Sequence, residues 1–111
     1  MAYRATVTLS TASHGLHMRP CILVAEAVHG LDVTLTFSRD GRTYAPHPDV
    51  MDIAYAAVTL NLAGGTTFEL TCDGPDAQEG FRRLKILFAD GEMAGSTFEA
   101  LDPLSQDALD G

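Results

Sequence analysis

The residues best suited to chemistry lie in the stretch GLHMRP at positions 15–20. His17 stands in a loop directly before a predicted helix, and Arg19 follows it by two residues. The free N–H groups of a first helical turn and the positive end of the helix dipole make such a place an anion site, to which Arg19 adds a fixed charge. In that field the imidazole is favoured in its neutral, nucleophilic form. His17 could therefore accept a phosphoryl group, which the helix amides and Arg19 would then stabilise.

Local chemistry alone leaves other interpretations of these residues open. A lone His-x-Arg is common, so His17 also fits a surface histidine that caps a helix. The pair His14-x-x-His17 has loose metal-ligand spacing and no cysteine or acid nearby to complete a site, so we predict no metal. Cys21, one turn along the helix, is predicted to face inward, which argues against a Cys-His nucleophile. The pair Gly64-Gly65 is predicted to end a helix and is not a phosphate-binding loop.

The elements that position this loop follow from hydrophobic periodicity and from turn signals. Alternating patterns predict strands at 2–9, 31–38, 42–45 and 66–72, and helical patterns with caps predict helices at 18–30, 50–62 and 77–89. Asp40-Gly41 is a strong hairpin signal, and Asp49 can cap the second helix. Arg82, Arg83 and Lys85 are predicted to line the exposed side of the third. The order β-α-β-β-α-β-α indicates an α+β fold, with an antiparallel sheet covered on one face by helices.

Length and composition restrict the class of protein further. The chain has 111 residues, 46% of them hydrophobic, which fits one globular domain. It lacks the long apolar run of a membrane span or signal peptide, so we expect a cytoplasmic protein without membrane insertion. The net charge is −8, and six of the fifteen acids lie at 90–111 without a base. We predict that 91–111 is an acidic tail, mobile or loosely docked. Lys85 is the only lysine and no basic stripe exists, which argues against nucleic-acid binding.

The stretch GLHMRP, placed after a first strand and a Ser/Thr-rich loop, closely resembles the active-site motif of the HPr family. These are the histidine-containing phosphocarriers of the phosphoenolpyruvate:sugar phosphotransferase system. The resemblance extends over residues 2–89 and includes the Asp-Gly hairpin and the segment LAGGTTFELTCDGPDAQEGF. It implies an HPr-like open-faced β-sandwich over residues 1–90, with a four-stranded antiparallel sheet covered on one face by three helices.

The resemblance also implies roles for individual residues. His17 is similar to the phosphorylated histidine, which conventionally carries the phosphoryl group on Nδ1, and Arg19 to the arginine that steadies that group. His14, Gly15 and Met18 then belong to the loop and helix start that surround the phosphate. Met18 replaces the small residue that is usual in the motif. His14 stands where the family commonly has a small polar residue, and is either a second base near the phosphate or simply exposed.

The predicted second helix differs from that of many family members in the residue at its start, and it also contains the candidate partner-binding residues. Many members carry a regulatory serine at its start, where this chain has Pro48 or Asp49, so control by a serine kinase is not expected. Asp49 is a helix cap or a permanent mimic of the phosphorylated state. The resemblance implies that Val50, Met51 and Ile53, with Tyr55 at the same edge, are candidates for binding partners; ordinary core residues are the alternative.

The resemblance implies a monomeric carrier that needs no cofactor of its own. Its partners are an enzyme I-like phosphoryl donor and sugar-specific acceptor proteins. Glu26 and His29 occupy a helix face that is often basic in the family, which weakens the match to an acidic donor. Two further hypotheses stay open: a regulatory module of an incomplete relay that controls partner proteins, and a domain that has lost transfer.

Overall fold

The computed structural model describes residues 1–10, 18–90, 93 and 95–110, and for Met18 and Arg19 only their place in the backbone. The strands are β1 (Ala2–Thr8), β2 (Thr34–Arg39), β3 (Arg42–Tyr44), β4 (Thr67–Asp73) and β5 (Thr97–Ala100), and the helices are α1 (Met18–Ala27), α2 (Val50–Thr59), α3 (Ala77–Lys85) and α4 (Pro103–Asp110). A π-helical segment, Ile86–Asp90, continues α3. The predicted order of elements is confirmed up to residue 90.

The strands form one antiparallel sheet in the order β3-β2-β4-β1-β5. β1 lies between β4 and β5, so that Ala5 is opposite both Leu70 and Ala100. The α+β class and the open-faced sandwich are confirmed. Within the described residues, the expected four strands and three helices become five strands and four helices, because residues 97–110 add β5 and α4.

One face of the sheet forms the core, as the alternation predicts. The inward residues of β1, β2 and β4 are buried under α1, α3 and the π-helical segment; they include Ala5, Val7, Leu35, Phe37, Phe68 and Leu70. The opposite face carries mainly hydroxyl and charged side chains, such as Thr6, Ser38 and Glu69. This division leaves one side of the sheet without a helical layer.

Turn residues set the ends of the elements. Asp40 and Gly41 both have positive φ angles, 51° and 78°, which matches the tight hairpin that Asp-Gly predicts. Gly30, with φ 81°, follows α1 at a position that favours glycine. Among the helices described here, none has the length and apolar composition of a bilayer span.

The C-terminal segment packs against the body of the protein. Beyond the end of β5, the N–H of Arg4 donates to Ser105 Oγ (2.8 Å), and its carbonyl accepts from the N–H of Leu101 (2.9 Å). Phe98 and Ala108 are buried in the core. This differs from the mobile or loosely docked tail expected for 91–111. The physical reason is that the outer edge of β1 offers unpaired main-chain groups, which β5 and the start of α4 satisfy.

Candidate functional site

The predicted phosphorylation loop lies largely outside the described residues. This applies to His14, Gly15 and His17, and to the side chains of Met18 and Arg19. The structure starts α1 at Met18, so His17 directly precedes the first helical residue in the chain. The roles assigned to these five residues therefore remain predictions.

The described residues on both sides of this loop lie in the buried part of the protein. Leu9 continues the pairing of β1, since its N–H donates to the Thr66 carbonyl and its carbonyl accepts from the Gly65 N–H, both at 2.9 Å. The next residue, Ser10, donates its N–H to Ser96 Oγ at 3.0 Å. On the other side, Pro20 is buried in the first turn of α1. The loop thus begins and ends at residues fixed by the core.

Cys21 is fully buried in α1, as its predicted inward direction requires. Desolvation by burial raises the pKa of its thiol to about 11. The thiol is therefore protonated at neutral pH and is not a nucleophile. This removes the Cys-His alternative for the chemistry near residue 17.

A shallow groove of about 300 Å³ lies between α1 and the start of α2. Its lining residues are Ile22, Ala25, Glu26, His29, Pro48, Asp49 and Val50. Its floor is apolar and its rim carries two carboxylates and one imidazole. The described lining therefore carries the charges of Glu26 and Asp49 and contains no lysine or arginine.

The three residues predicted to bind partners have different environments. Val50 is half-buried and lines the groove, and Met51 beside it is 72% exposed. Ile53 is only 1% exposed and belongs to the core, which favours the alternative of an ordinary core residue over a contact residue. The physical reason is its phase in the helix, because Ile53 shares a buried face with Ala56 and Ala57.

Two exposed apolar side chains continue the surface that Met51 begins. Tyr55 and Val58 follow it at helical spacing, and Val58 is 79% exposed. Tyr55 packs its ring against Tyr44, with centroids 5.4 Å apart. Desolvation, and then the charges of Asp52 and Tyr55, raise the pKa of Tyr44. Val58 was not predicted as a contact residue, although its spacing of seven residues from Met51 was a usable signal.

The start of α2 has the cap that the sequence predicts. The Asp49 carboxylate accepts the N–H of Asp52 at 2.9 Å. The Asp52 carboxylate in turn accepts the N–H of His47 at 2.7 Å. Asp49 therefore has a structural role as the cap of α2.

No group of three or more histidine, cysteine or acidic side chains within the described part of the chain could hold a metal ion. His14 and His17 lie outside that part, so the absence of a metal between them stays a prediction.

Comparison with known proteins relates this chain to one family. The family model described as PTS HPr component phosphorylation site matches residues 4–90. The crystal structure of HPr-C-His from Thermoanaerobacter tengcongensis has the same fold, with a TM-score of 0.61 and 21% sequence identity over 76% of this chain and 88% of that one. A search of curated proteins finds no match. The matched range contains the loop and the groove and ends before β5.

Proposed function

Because the chain belongs to the HPr family of phosphotransferase-system phosphocarriers, we propose that His17 is the residue that carries the phosphoryl group. One observation supports this assignment above all. The family match spans the stretch GLHMRP, and α1 begins at Met18, directly after the histidine. The first turn of α1 can then supply amide donors to a phosphoryl group on that imidazole.

The proposed reaction moves one phosphoryl group between two imidazoles. The N–P bond of a phosphohistidine on an enzyme I-like donor breaks while an N–P bond forms on His17, and the proton displaced from His17 goes to the donor imidazole. Positioning and charge stabilisation are the only contributions this transfer needs. Arg19 would pair with the phosphoryl oxygens, and His14, Gly15 and Met18 would surround them. The carrier then passes the group to a histidine or cysteine of a sugar-specific acceptor, in the cytoplasm and as a monomer.

The groove and the exposed side of α2 are the proposed docking surface for both partners. Val50 and Ile22 contribute apolar surface to the groove, and the side chain of Met51, next to Val50 in the chain, is exposed. The two helices that line the groove also pack directly on each other. A contact of this size fits the low end of interface areas, which suits a partner that must dissociate after each transfer.

The acidic rim of the groove favours a second candidate function. The groove carries the carboxylates of Glu26 and Asp49. An acidic donor would bind more favourably to a basic surface than to these two carboxylates. The alternative is a regulatory module of an incomplete relay, in which phosphorylated His17 controls a partner protein and sugar uptake is not the output. Both candidates share the histidine chemistry and differ in the acceptor.

Labelling tests the shared chemistry. The purified chain is incubated with enzyme I and phosphoenolpyruvate, and separately with phosphoramidate, which needs no docking surface. We expect acid-labile phosphate on the wild type and on the His47→Ala variant, and none on His17→Ala. His47 is a matched control because it is an exposed histidine that is not among the described lining residues of the groove. Equal labelling of His17→Ala and the wild type would contradict the assignment.

A reconstituted transport system separates the two functions. The labelled carrier is added to sugar-specific acceptors and a permease, and sugar phosphate is measured. Formation of sugar phosphate supports the carrier in uptake. Labelled His17 with no sugar phosphate, whichever acceptor is added, supports the regulatory module.

A further inference from the structure

The segment beyond the family match contacts the start of the predicted phosphorylation loop. Ser10, the last described residue before that loop, donates its N–H to Ser96 Oγ at 3.0 Å. Ser96 is only 6% exposed and Ser10 is half-buried, so this hydrogen bond is partly shielded from water. A main-chain group that leads directly into residues 11–17 is thus held by a side chain that lies outside residues 4–90.

Gly95 forms a second contact with the same residue. A Cβ atom built on Gly95 would lie 2.9 Å from Ser10 Oγ and 3.2 Å from Ser10 Cβ. The φ angle of Gly95 is 92°, in the region that favours glycine. The backbone of Gly95 therefore lies close against the Ser10 side chain, which would have to shift to accommodate a Cβ at position 95.

Ser96 is itself held in place by the body of the protein. Its N–H donates to the Met93 carbonyl at 3.1 Å, and the N–H of Met93 donates to the Leu87 carbonyl at 3.3 Å. Met93 is buried, and β5 starts directly after Ser96 and pairs with β1. The hydroxyl of Ser96 therefore has a fixed position relative to the sheet.

We infer that residues 93–110 are a positioning element for the loop that carries His17, and that Ser96 is its positioning residue. The segment holds Ser10 on one side of the loop, and Pro20, buried in the first turn of α1, lies on the other side. The inference rests on the proposed function, since it assigns a purpose to the position of His17. A displacement of about 1 Å at a reacting group can lower a transfer rate by up to about a hundredfold.

A pair of serine variants of the full chain tests this inference. Ser96→Ala removes the acceptor for the Ser10 N–H, and Ser105→Ala removes the equivalent acceptor for the Arg4 N–H, at the other end of β1. Both serines are buried in the C-terminal segment and each accepts one main-chain N–H. We expect both variants to melt at lower temperature than the wild type. Only Ser96→Ala should shift the NMR pH titration of the His17 imidazole and lower kcat/KM for phosphoryl transfer, by about tenfold.

A glycine pair keeps the test informative if Ser96→Ala does not fold. Gly95→Ala pushes on Ser10, whereas Gly30→Ala introduces a side chain at a similar φ angle with nothing within 4 Å. Gly95→Ala should alter the His17 titration and Gly30→Ala should not. Unchanged His17 titration in both Ser96→Ala and Gly95→Ala would overturn the inference. A shifted His17 titration in these two variants, together with a wild-type chain that takes no phosphate, would support the positioning role and contradict the proposed function, so the two failures are distinguishable.

Discussion

The Nε–H of Arg82 in α3 donates a hydrogen bond of 2.9 Å to the carbonyl oxygen of Ala108 in the last turn of α4. Carbonyl groups at a helix C-terminus lack partners within the helix and carry the negative end of its dipole. A cation from inside the family match thus stabilises the end of a helix outside it. The contact links the C-terminal segment to the helix that covers β1 and β4.

Replacing Arg82 should weaken the packing of α4. We expect Arg82→Ala to lower the free energy of unfolding by about 1–3 kcal/mol, the usual contribution of a hydrogen bond from a charged group. Arg42→Ala, at an exposed arginine of β3, is the control and should change it by less than about 0.5 kcal/mol. Urea denaturation followed by circular dichroism measures both. Equal losses in the two variants would show that the contact with Ala108 contributes nothing.

The hydrogen-bond partner of Arg82 could not be predicted from the sequence. Its position in α3 predicts an exposed cation, and the sequence before residue 90 contains nothing that reveals its partner. The strand TFEA at 97–100 is too short for a clear alternation, and its state depends on pairing with the edge of β1. By contrast, the strands and helices up to residue 90 have long periodic patterns, so their order could be predicted.

The candidate site also has parts that could be predicted from the sequence and parts that could not. The stretch GLHMRP identifies the loop because several independent features coincide in six residues. The Ser10–Ser96 contact could not be predicted, because it joins residues 86 positions apart through one hydroxyl. For Ile53 the sequence left a contact residue and a core residue open, although its phase with Ala56 and Ala57 already favoured the core. The resemblance located the surface by position in the helix, and helical phase decides which side chains reach it.

Gly74 should tolerate no side chain. Its φ angle is 119°, and a Cβ would lie 2.7 Å from the carbonyl oxygen of Asp32. Gly30→Ala adds only the strain of a positive φ angle, about 1–2 kcal/mol. We expect Gly74→Ala to lower the free energy of unfolding by about 1–3 kcal/mol more than Gly30→Ala does, because main-chain atoms must move to accommodate the methyl group. Thermal unfolding of the two variants measures the difference, and similar melting temperatures would contradict this reason.

Asp49 should act through its acceptor oxygen more than through its charge. Asp49→Ala removes the acceptor for the Asp52 N–H and should lower the free energy of unfolding by about 0.5–2 kcal/mol. Asp49→Asn keeps an acceptor and should stay near the wild type in stability. If Asp49 is only a cap, Asp49→Asn should also match the wild type in His17 labelling. A loss of labelling in this stable variant would instead indicate that the negative charge takes part in partner binding.

Asp102 should make the stability of the protein sensitive to acid. The Asp102 carboxylate accepts a hydrogen bond from the Ser105 N–H at 2.8 Å and lies 3.5 Å from the Arg4 guanidinium. Both contacts lower the pKa of this carboxyl in the folded state. The unfolded chain therefore binds the proton more readily. The stabilisation is complete above the unfolded pKa of about 4 and is lost as the pH falls through the lower, folded pKa. Asp102→Asn should show a smaller loss of stability than the wild type between about pH 4 and 2, and parallel pH profiles would contradict this contribution.

Cys21 and Cys72 should resist alkylation in the folded protein. Both are fully buried, and burial raises the pKa of Cys21 to about 11 and that of Cys72 to about 12. At pH 8 roughly one Cys21 thiol in a thousand would be ionised, before its lack of access is considered. Iodoacetamide should therefore modify neither residue until denaturant unfolds the chain, when mass spectrometry should show two additions. Rapid single alkylation of the native protein would contradict this burial and would restore Cys21, one turn after His17, as a competing acceptor of phosphate. Inert cysteines would instead mean that label on the wild type is not held by a thiol, as the assignment to His17 requires.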